Sequence, residues 1–179
     1  MPPPKKKSKI ISKNKEPQLW LREPKLYPKA VEAFRVLKNR VIRFNEKEGI
    51  KTILLTGVDR QSGVSSVAFN LSLTCGRDLP DRRILLIDAN MHHASLHSSF
   101  ELPIEPGLMN LLYSNNLLHE ITYESSLPNL HLIPFGQTYE DRPAPFTLPS
   151  FKIFLEQVAE QYELIIIDSD ACLKSDHTQ

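Results

Sequence analysis

Three short segments of this chain carry residue types that act on phosphate or on a divalent cation. Lys51 to Ser66, KTILLTGVDRQSGVSS, reads as an apolar strand, a turn and a helix start, the setting that a phosphate-cradling loop requires. Gly63, Ser65 and Ser66 match the end of the Gly-Lys-Ser/Thr element of such loops, but the lysine that would meet the β- and γ-phosphates is replaced by Val64. Farther on, Asp88 ends the apolar run from Ile84, and Asp168 ends the run from Leu164. Acidic residues directly after an apolar strand are where a nucleotide site holds Mg²⁺ or orients a water or hydroxyl. The candidate nucleotide-loop positions are therefore Gly63, Val64, Ser65 and Ser66. Ser65, Asp88 and Asp168 are the candidate Mg²⁺ ligands, and the two aspartates are the candidate catalytic groups. The plainer reading is that each aspartate caps the segment after it; two of them beside a strand–loop–helix make the functional reading more specific.

Elements to position these residues are legible on both sides of the loop. Val31, Phe34, Leu37 or Val41, and Phe44 recur at helical spacing after Tyr27-Pro28, and Gly49 ends that helix. Ile53-Leu54-Leu55 is the first buried strand, and a second helix runs from Ser65 to about Gly76. Arg83 to Asp88, Leu130 to Pro134 and Leu164 to Asp168 are apolar runs without alternation, as expected of parallel strands covered on both faces. Helical patterns at Leu108 to Tyr113 and Phe151 to Gln161 separate them. This alternation predicts an α/β fold, a parallel sheet flanked by helices with ligands beyond the carboxyl ends of the strands.

The 179 residues suit one domain with a tail: residues 1–26 as a disordered basic arm rich in lysine, and 27–179 as the folded unit. A formal net charge of +1 gives no global attraction to nucleic acid. The arm reads first as solubilising, with an anionic lipid surface as its alternative target. No apolar run approaches the roughly 18 residues that cross a bilayer and no signal-peptide core is present, so the chain is expected in the cytoplasm, with a peripheral place at the inner membrane as the variant reading. Cys75 and Cys172 are far apart and read as reduced core residues. His92, His93 and His97 would form a metal site only if their segment were helical, and no Cys or acidic residue stands at ligand spacing.

The order of these segments resembles the cytoplasmic domain of the bacterial tyrosine kinases of capsule and exopolysaccharide assembly, a branch of the MinD/ParA-like P-loop ATPases. Glu32-Ala33-Phe34-Arg35-Val36-Leu37-Lys38 is similar to their Glu-x-x-Arg-x-x-Arg oligomerisation motif, and Leu85 to His97 to their second Walker element, usually Leu-Leu-Ile-Asp-Ala-Asp-Leu-Arg-Arg-Pro-Ser-Leu-His. Leu102-Pro103 to Gly107-Leu108 matches Leu-Pro-x-x-x-Gly-Leu, Asn129 to Gly136 matches Asn-Leu-x-x-Leu-Pro-x-Gly, and Tyr162 to Asp168 their Walker B strand. The resemblance covers about Lys29 to Asp176. It implies ATP and Mg²⁺ as cofactors, Glu32, Arg35 and Lys38 as an oligomer contact, homo-oligomerisation, and a membrane-embedded polysaccharide co-polymerase, chain-length regulator or related kinase subunit as partner, with no nucleic acid.

Departures from the pattern direct the functional expectation. Gln61-Ser62-Gly63-Val64-Ser65-Ser66 stands where the family has Gly-Glu-Gly-Lys-Ser-Thr, Asn90 replaces an aspartate, and His92 replaces an arginine. Valine offers neither charge nor donor to a transferring phosphoryl group. Arg60 or Lys51 could supply a cation from elsewhere. No tyrosine follows Tyr162, where the family carries its autophosphorylated cluster, and only Ser169 to Gln179 follow the Walker B strand, so the fold is expected to lack its C-terminal strands and to leave one edge of the strand Lys51 to Gly57 unpaired. The expected function is a regulatory or scaffolding pseudokinase subunit. The alternatives are an active ATP-dependent tyrosine autokinase with an unorthodox loop and, third, a MinD/ParA-like partitioning ATPase.

Overall fold

The computed structural model describes residues 28–59, 62–114, 116–137 and 143–170. In chain order these form helix α1 (Pro28–Glu48), strand β1 (Thr52–Leu55), α2 (Val64–Asp78), β2 (Ile84–Ala89), the single turn α3 (Leu96–Ser99), α4 (Leu108–Tyr113), α5 (Leu118–Ile121), β3 (Tyr123–Glu124), β4 (Leu130–Ile133), a 3-10 turn at Pro145–Thr147, α6 (Pro149–Gln161) and β5 (Leu164–Ser169). The expected tail, Tyr139 and Cys172 lie outside the described residues.

The strands form one sheet in the order β1-β5-β2-β4-β3. β1, β5, β2 and β4 run parallel. The expected parallel sheet is extended at one edge by β3, which pairs antiparallel with β4, Tyr123 opposite Leu132 and Glu124 opposite His131. A two-residue strand is too short to show a period, so only the pairing reveals it.

β2 and β5 are buried along their whole length, because helices cover both faces of the sheet. Ile84, Leu86, Leu164 and Ile166 face α1 and α2, while Leu85, Ile87, Ile165 and Ile167 face α4, α5 and α6. Successive strand residues point to opposite faces, so an unbroken apolar run feeds two cores at once. α2 is the most enclosed helix, with every residue from Ala68 to Gly76 buried; its Ser72 and Thr74 hydroxyls donate to the Phe69 and Asn70 carbonyls and so do not burden the core.

On α1, Phe34, Leu37, Val41 and Ile42 pack inward. Phe44, which the spacing placed on the same stripe, is instead 61% exposed. The inward track steps by four from Leu37 through Val41 to Asn45, whose amide donates to the Ile50 and Glu163 carbonyls at 3.0 Å each. Gly49 takes a φ of +68° after the helix, and its N–H donates to the Asn45 carbonyl.

Candidate functional site

The site lies at the carboxyl ends of β1, β5 and β2. Asp168 of β5 is level with Leu55 of β1 on one side and with Asp88 of β2 on the other. The loop after β1 leads to Gly63, which sits at the head of α2 in the left-handed region with φ +82°. Val67 N–H donates to the Gly63 carbonyl. The first-turn amides of Val64, Ser65 and Ser66 have no acceptor within the helix, which makes this end electropositive.

The loop is drawn tight. A methyl group on the Gly57 α-carbon would overlap the Ser62 hydroxyl and come within 2.9 Å of Val64 Cγ2. Ser62 and Val64 therefore fold back onto the bare glycine backbone, and Val64 serves as a packing group where a lysine would extend toward phosphate. Of the two stand-ins, Lys51 is excluded by position: it precedes β1 at the far end of the sheet, and its ammonium donates to the Ala159 carbonyl at 2.7 Å. Arg60 lies outside the described residues.

The two aspartates have the same backbone placement and opposite surroundings. Asp88 accepts from the backbone N–H groups of Asn90, Ser95 and Leu96, each at 3.1 Å. It holds the loop after β2 in place, as the plainer reading supposed. Asp168 is fully buried, and among the described residues neither of its carboxylate oxygens has a hydrogen-bond partner. Burial pushes the Asp168 carboxyl up to about 6; the Ser65 hydroxyl lies near enough to favour its ionised form, and the Asp170 charge works against that. Burial and then the charge of Asp168 push Asp88 up to about 7, against the pull of its three N–H donors. Burying an ionised carboxylate without partners is costly, so Asp168 is either protonated or in need of a cation.

A divalent cation fits these residues in part. The donor set of Asp168 with Ser65 at the head of α2 is oxygen-rich, as Mg²⁺ demands. Asp88 is engaged by backbone donors, which leaves Asp168 as the carboxylate with open lone pairs. When bound, the cation would neutralise charge between the carboxylate and a phosphate; what this chain lacks at Val64 is the second positive group. A cavity of about 110 Å³ adjoins the site between α2 and the loop after β2, lined by Ser65, Ser66, Asn70, Ser95 and Ser99 against Phe69 and Leu96.

No family model matches the chain. It is similar to the tyrosine-protein kinase ptk of Acinetobacter johnsonii, 27% identical over 144 residues that cover 80% of this chain and 19% of that protein. The tyrosine-protein kinase CpsD of Streptococcus agalactiae is 28% identical over 142 residues, 79% of this chain and 60% of that protein. Among solved structures, the BceF tyrosine kinase domain superposes with a TM-score of 0.73 at 26% identity, covering 85% of this chain and 61% of that one. The curated proteins that this chain resembles are bacterial tyrosine kinases. The septum site-determining protein MinD of Pyrococcus horikoshii, solved with Mg-ADP, shares the fold at a TM-score of 0.58 and 22% identity, over 69% of this chain and 50% of its own. The present chain thus spans about a fifth of ptk, at 19%, and 60% of CpsD.

In this chain the α1 triplet is divided. Lys38 points into the molecule, its ammonium 2.6 Å from Asp78 at the end of α2, with a side chain only 12% exposed. Arg35 lies 3.8 Å from the same carboxylate, and Glu32 is exposed. The segments matched at Leu102–Leu108 and Asn129–Gly136 meet each other: Leu108 N–H donates to the Pro134 carbonyl and Met109 N–H to the Phe135 carbonyl, both at 2.8 Å. Those two motifs are thereby packing devices that join α4 to the end of β4.

Asp170 is the residue that sequence reasoning left without a role. Its carboxylate accepts from the Met91 and His92 N–H groups and lies 3.1 Å from His92 Nδ1, while its carbonyl accepts from the Thr56 hydroxyl at 2.8 Å. It ties the ends of β5, β1 and the loop after β2 together. Position two residues past Asp168 was the available signal, but its donors come from elements distant in sequence. His93 and His97 do not join His92 in a cluster: the segment is a loop up to the short α3, and no metal-holding group of His, Cys, Asp or Glu occurs among the described residues. Cys75 is buried, its thiol pushed up to about 12 by burial, in keeping with a core residue. Among the described residues no helix is long and apolar enough to cross a membrane.

Proposed function

We propose that this chain is a regulatory or scaffolding member of the capsule and exopolysaccharide tyrosine-kinase group in which phosphoryl transfer has been lost. The observation that carries this reading is Val64 packed on Gly57 in the loop, at the position where a phosphate-binding lysine would stand. Positive charge at that lysine position stabilises the transferring phosphoryl group, and its absence removes the interaction that strengthens in the transition state. What persists is a cation-accepting carboxylate and a helix N-terminus, enough for weak MgATP or Mg²⁺ binding as a structural ligand. The partners in this reading are a membrane-embedded polysaccharide co-polymerase or chain-length regulator, or an active kinase subunit, met in the cytoplasm through the exposed part of α1 that carries Glu32 and Arg35.

Calorimetric titration with MgATP, with a parallel assay of ATP turnover, is the direct test. The expected result is weak or absent binding and no turnover. Submicromolar ATP affinity or measurable autophosphorylation would replace this reading by that of an active autokinase whose cation comes from another position.

A further inference from the structure

A second polar cluster lies toward the amino ends of the parallel strands, away from Asp88 and Asp168. His131 is in β4, Glu124 stands opposite it in β3, Arg83 directly precedes β2, and Tyr162 joins α6 to β5. The Tyr162 hydroxyl is 2.7 Å from His131 Nδ1, and the two rings meet edge to face with centroids 5.5 Å apart. The Arg83 guanidinium lies over the Tyr162 ring, 4.9 Å from its centroid. Backbone bonds tie the same corner: the Glu163 and Leu164 N–H groups donate to the Arg83 carbonyl, and the Arg83 N–H donates to the Glu163 carboxylate at 2.6 Å. Tyr162 is only 4% exposed, so its hydroxyl depends on these partners.

The donor and acceptor chemistry fixes the direction of the contact. A guanidinium has no acceptor, so Arg83 can meet the Tyr162 oxygen only as a donor. The Tyr162 O–H is left for His131 Nδ1, which can accept only while it carries no proton. The imidazole proton then belongs on Nε2, with the Pro128 carbonyl near the ring as its acceptor. A second ring proton would turn Nδ1 into a donor aimed at an oxygen that Arg83 already faces, and would set a second positive charge beside the guanidinium. Burial and then the Arg83 charge hold His131 below the ordinary histidine range, against the weaker pull of Glu124 and the Pro128 carbonyl. The geometry points to an acid-sensitive lock made of His131, Tyr162 and Arg83, which fastens the end of α6 and the start of β5 to β4 while His131 is neutral and releases them when it gains its second proton. This device is separate from the nucleotide site and does not depend on the reading of Val64. The unfolded chain takes up the proton near the ordinary 6.5, the folded chain only at lower pH. The contribution of the lock to stability is therefore whole above that value and is lost as pH falls below it, opposite in sign to the trend from Asp88 and Asp168.

Titration of the imidazole signals by NMR tests this with the whole chain, the His131 signal being assigned with His131→Gln. The expected midpoint for His131 lies below 6.5, and amide exchange at Glu163 and Leu164, corrected for its intrinsic rate, should quicken at that same midpoint. Tyr162→Phe keeps the packed ring and removes the hydroxyl that favours neutral His131. It should raise the midpoint by roughly half to one pH unit and leave exchange at Glu163 and Leu164 without a step between about pH 5 and 7. Arg83→Gln, which removes the opposing charge, should also raise the midpoint and keeps the test in force if Tyr162→Phe does not fold. A wild-type midpoint at or above 6.5 would overturn the proposal. So would an unchanged midpoint in both variants, or exchange at Glu163 and Leu164 that does not follow the titration of His131.

Discussion

Asp88 and Asp168 stand side by side in the register of β2 and β5, each at the end of a fully buried strand and each with no exposed surface. Their environments have nothing else in common. The carboxylate of Asp88 is consumed by three backbone N–H groups of the loop that follows it, whereas that of Asp168 accepts no backbone hydrogen bond among the described residues and has only the Ser65 hydroxyl near it. Position at a strand end therefore does not by itself make a ligand. The chain that continues from the strand decides: after Asp88 it curls back to Ser95 and Leu96, and after Asp168 it runs on to Asp170, which reaches away to Met91 and His92. One aspartate builds the site and the other is available to it.

The largest expected effect separates these two roles. Asp88→Ala should cost roughly 3 to 5 kcal/mol of unfolding free energy, because it leaves three buried or half-buried N–H groups without acceptors. Denaturant melts at neutral pH measure it. A loss below about 1 kcal/mol would mean that the loop re-forms its hydrogen bonds elsewhere and that the contrast with Asp168 is weaker than the geometry shows.

Val64→Lys should tighten MgATP binding by about 1.5 to 3 kcal/mol, roughly ten- to a hundredfold, since it restores a charge-assisted contact to phosphate. Combining it with Asp168→Asn should abolish most of the gain if the cation is held at Asp168, and combining it with Asp88→Asn should preserve more of it. An unchanged affinity for Val64→Lys would locate the defect in the tight loop around Gly57 as well.

Asp168→Asn should stabilise the protein without ligand at pH 8, by about 2 kcal/mol, the opposite sign to Asp88→Ala. The pH dependence follows from the raised values. Both carboxyls hold their protons in the fold up to about 6 and about 7, above the ordinary 3.8 of the unfolded chain. Between about pH 4 and 7 the folded state thus binds more protons than the unfolded one, and these two groups make stability fall as pH rises through that window. Thermal melts should show a shallower fall in Asp168→Asn. A wild type whose stability rises from pH 5 to 8 with no change in the variant would mean that Asp168 is neutralised by a partner. Millimolar Mg²⁺ should raise the melting temperature at pH 8 in the wild type and not in Asp168→Asn.

The smallest effect concerns α1. Lys38→Met should cost about 1 kcal/mol, because Asp78 loses its closest cation while Arg35 remains nearby. Glu32→Lys, on the exposed side, should change stability by no more than about 0.5 kcal/mol. If Glu32→Lys alters the mass in solution while leaving the melt unchanged, the exposed part of α1 is an interaction surface.

Much of this molecule was written in local pattern. The apolar runs at Ile84–Ala89 and Leu164–Ser169 announced parallel strands because burial on both faces removes any need for polar alternation. Gly49 announced the end of α1, because glycine acts through its own backbone torsions. The apolar side chain of Val64, where a phosphate loop would carry lysine, was equally legible, since charge is a property of one residue. What remained for the tertiary structure were facts that depend on pairs far apart in the chain. That β3 turns antiparallel, that Phe44 leaves the packing stripe, and that Lys51 sits at the wrong end of the sheet to replace a lysine at position 64 all follow from neighbours which no local period encodes. The same holds for the aspartates: both were visible as strand-end acids, but a carboxylate becomes a cap or a vacant ligand only when folding has determined which N–H groups come within 3 Å of it.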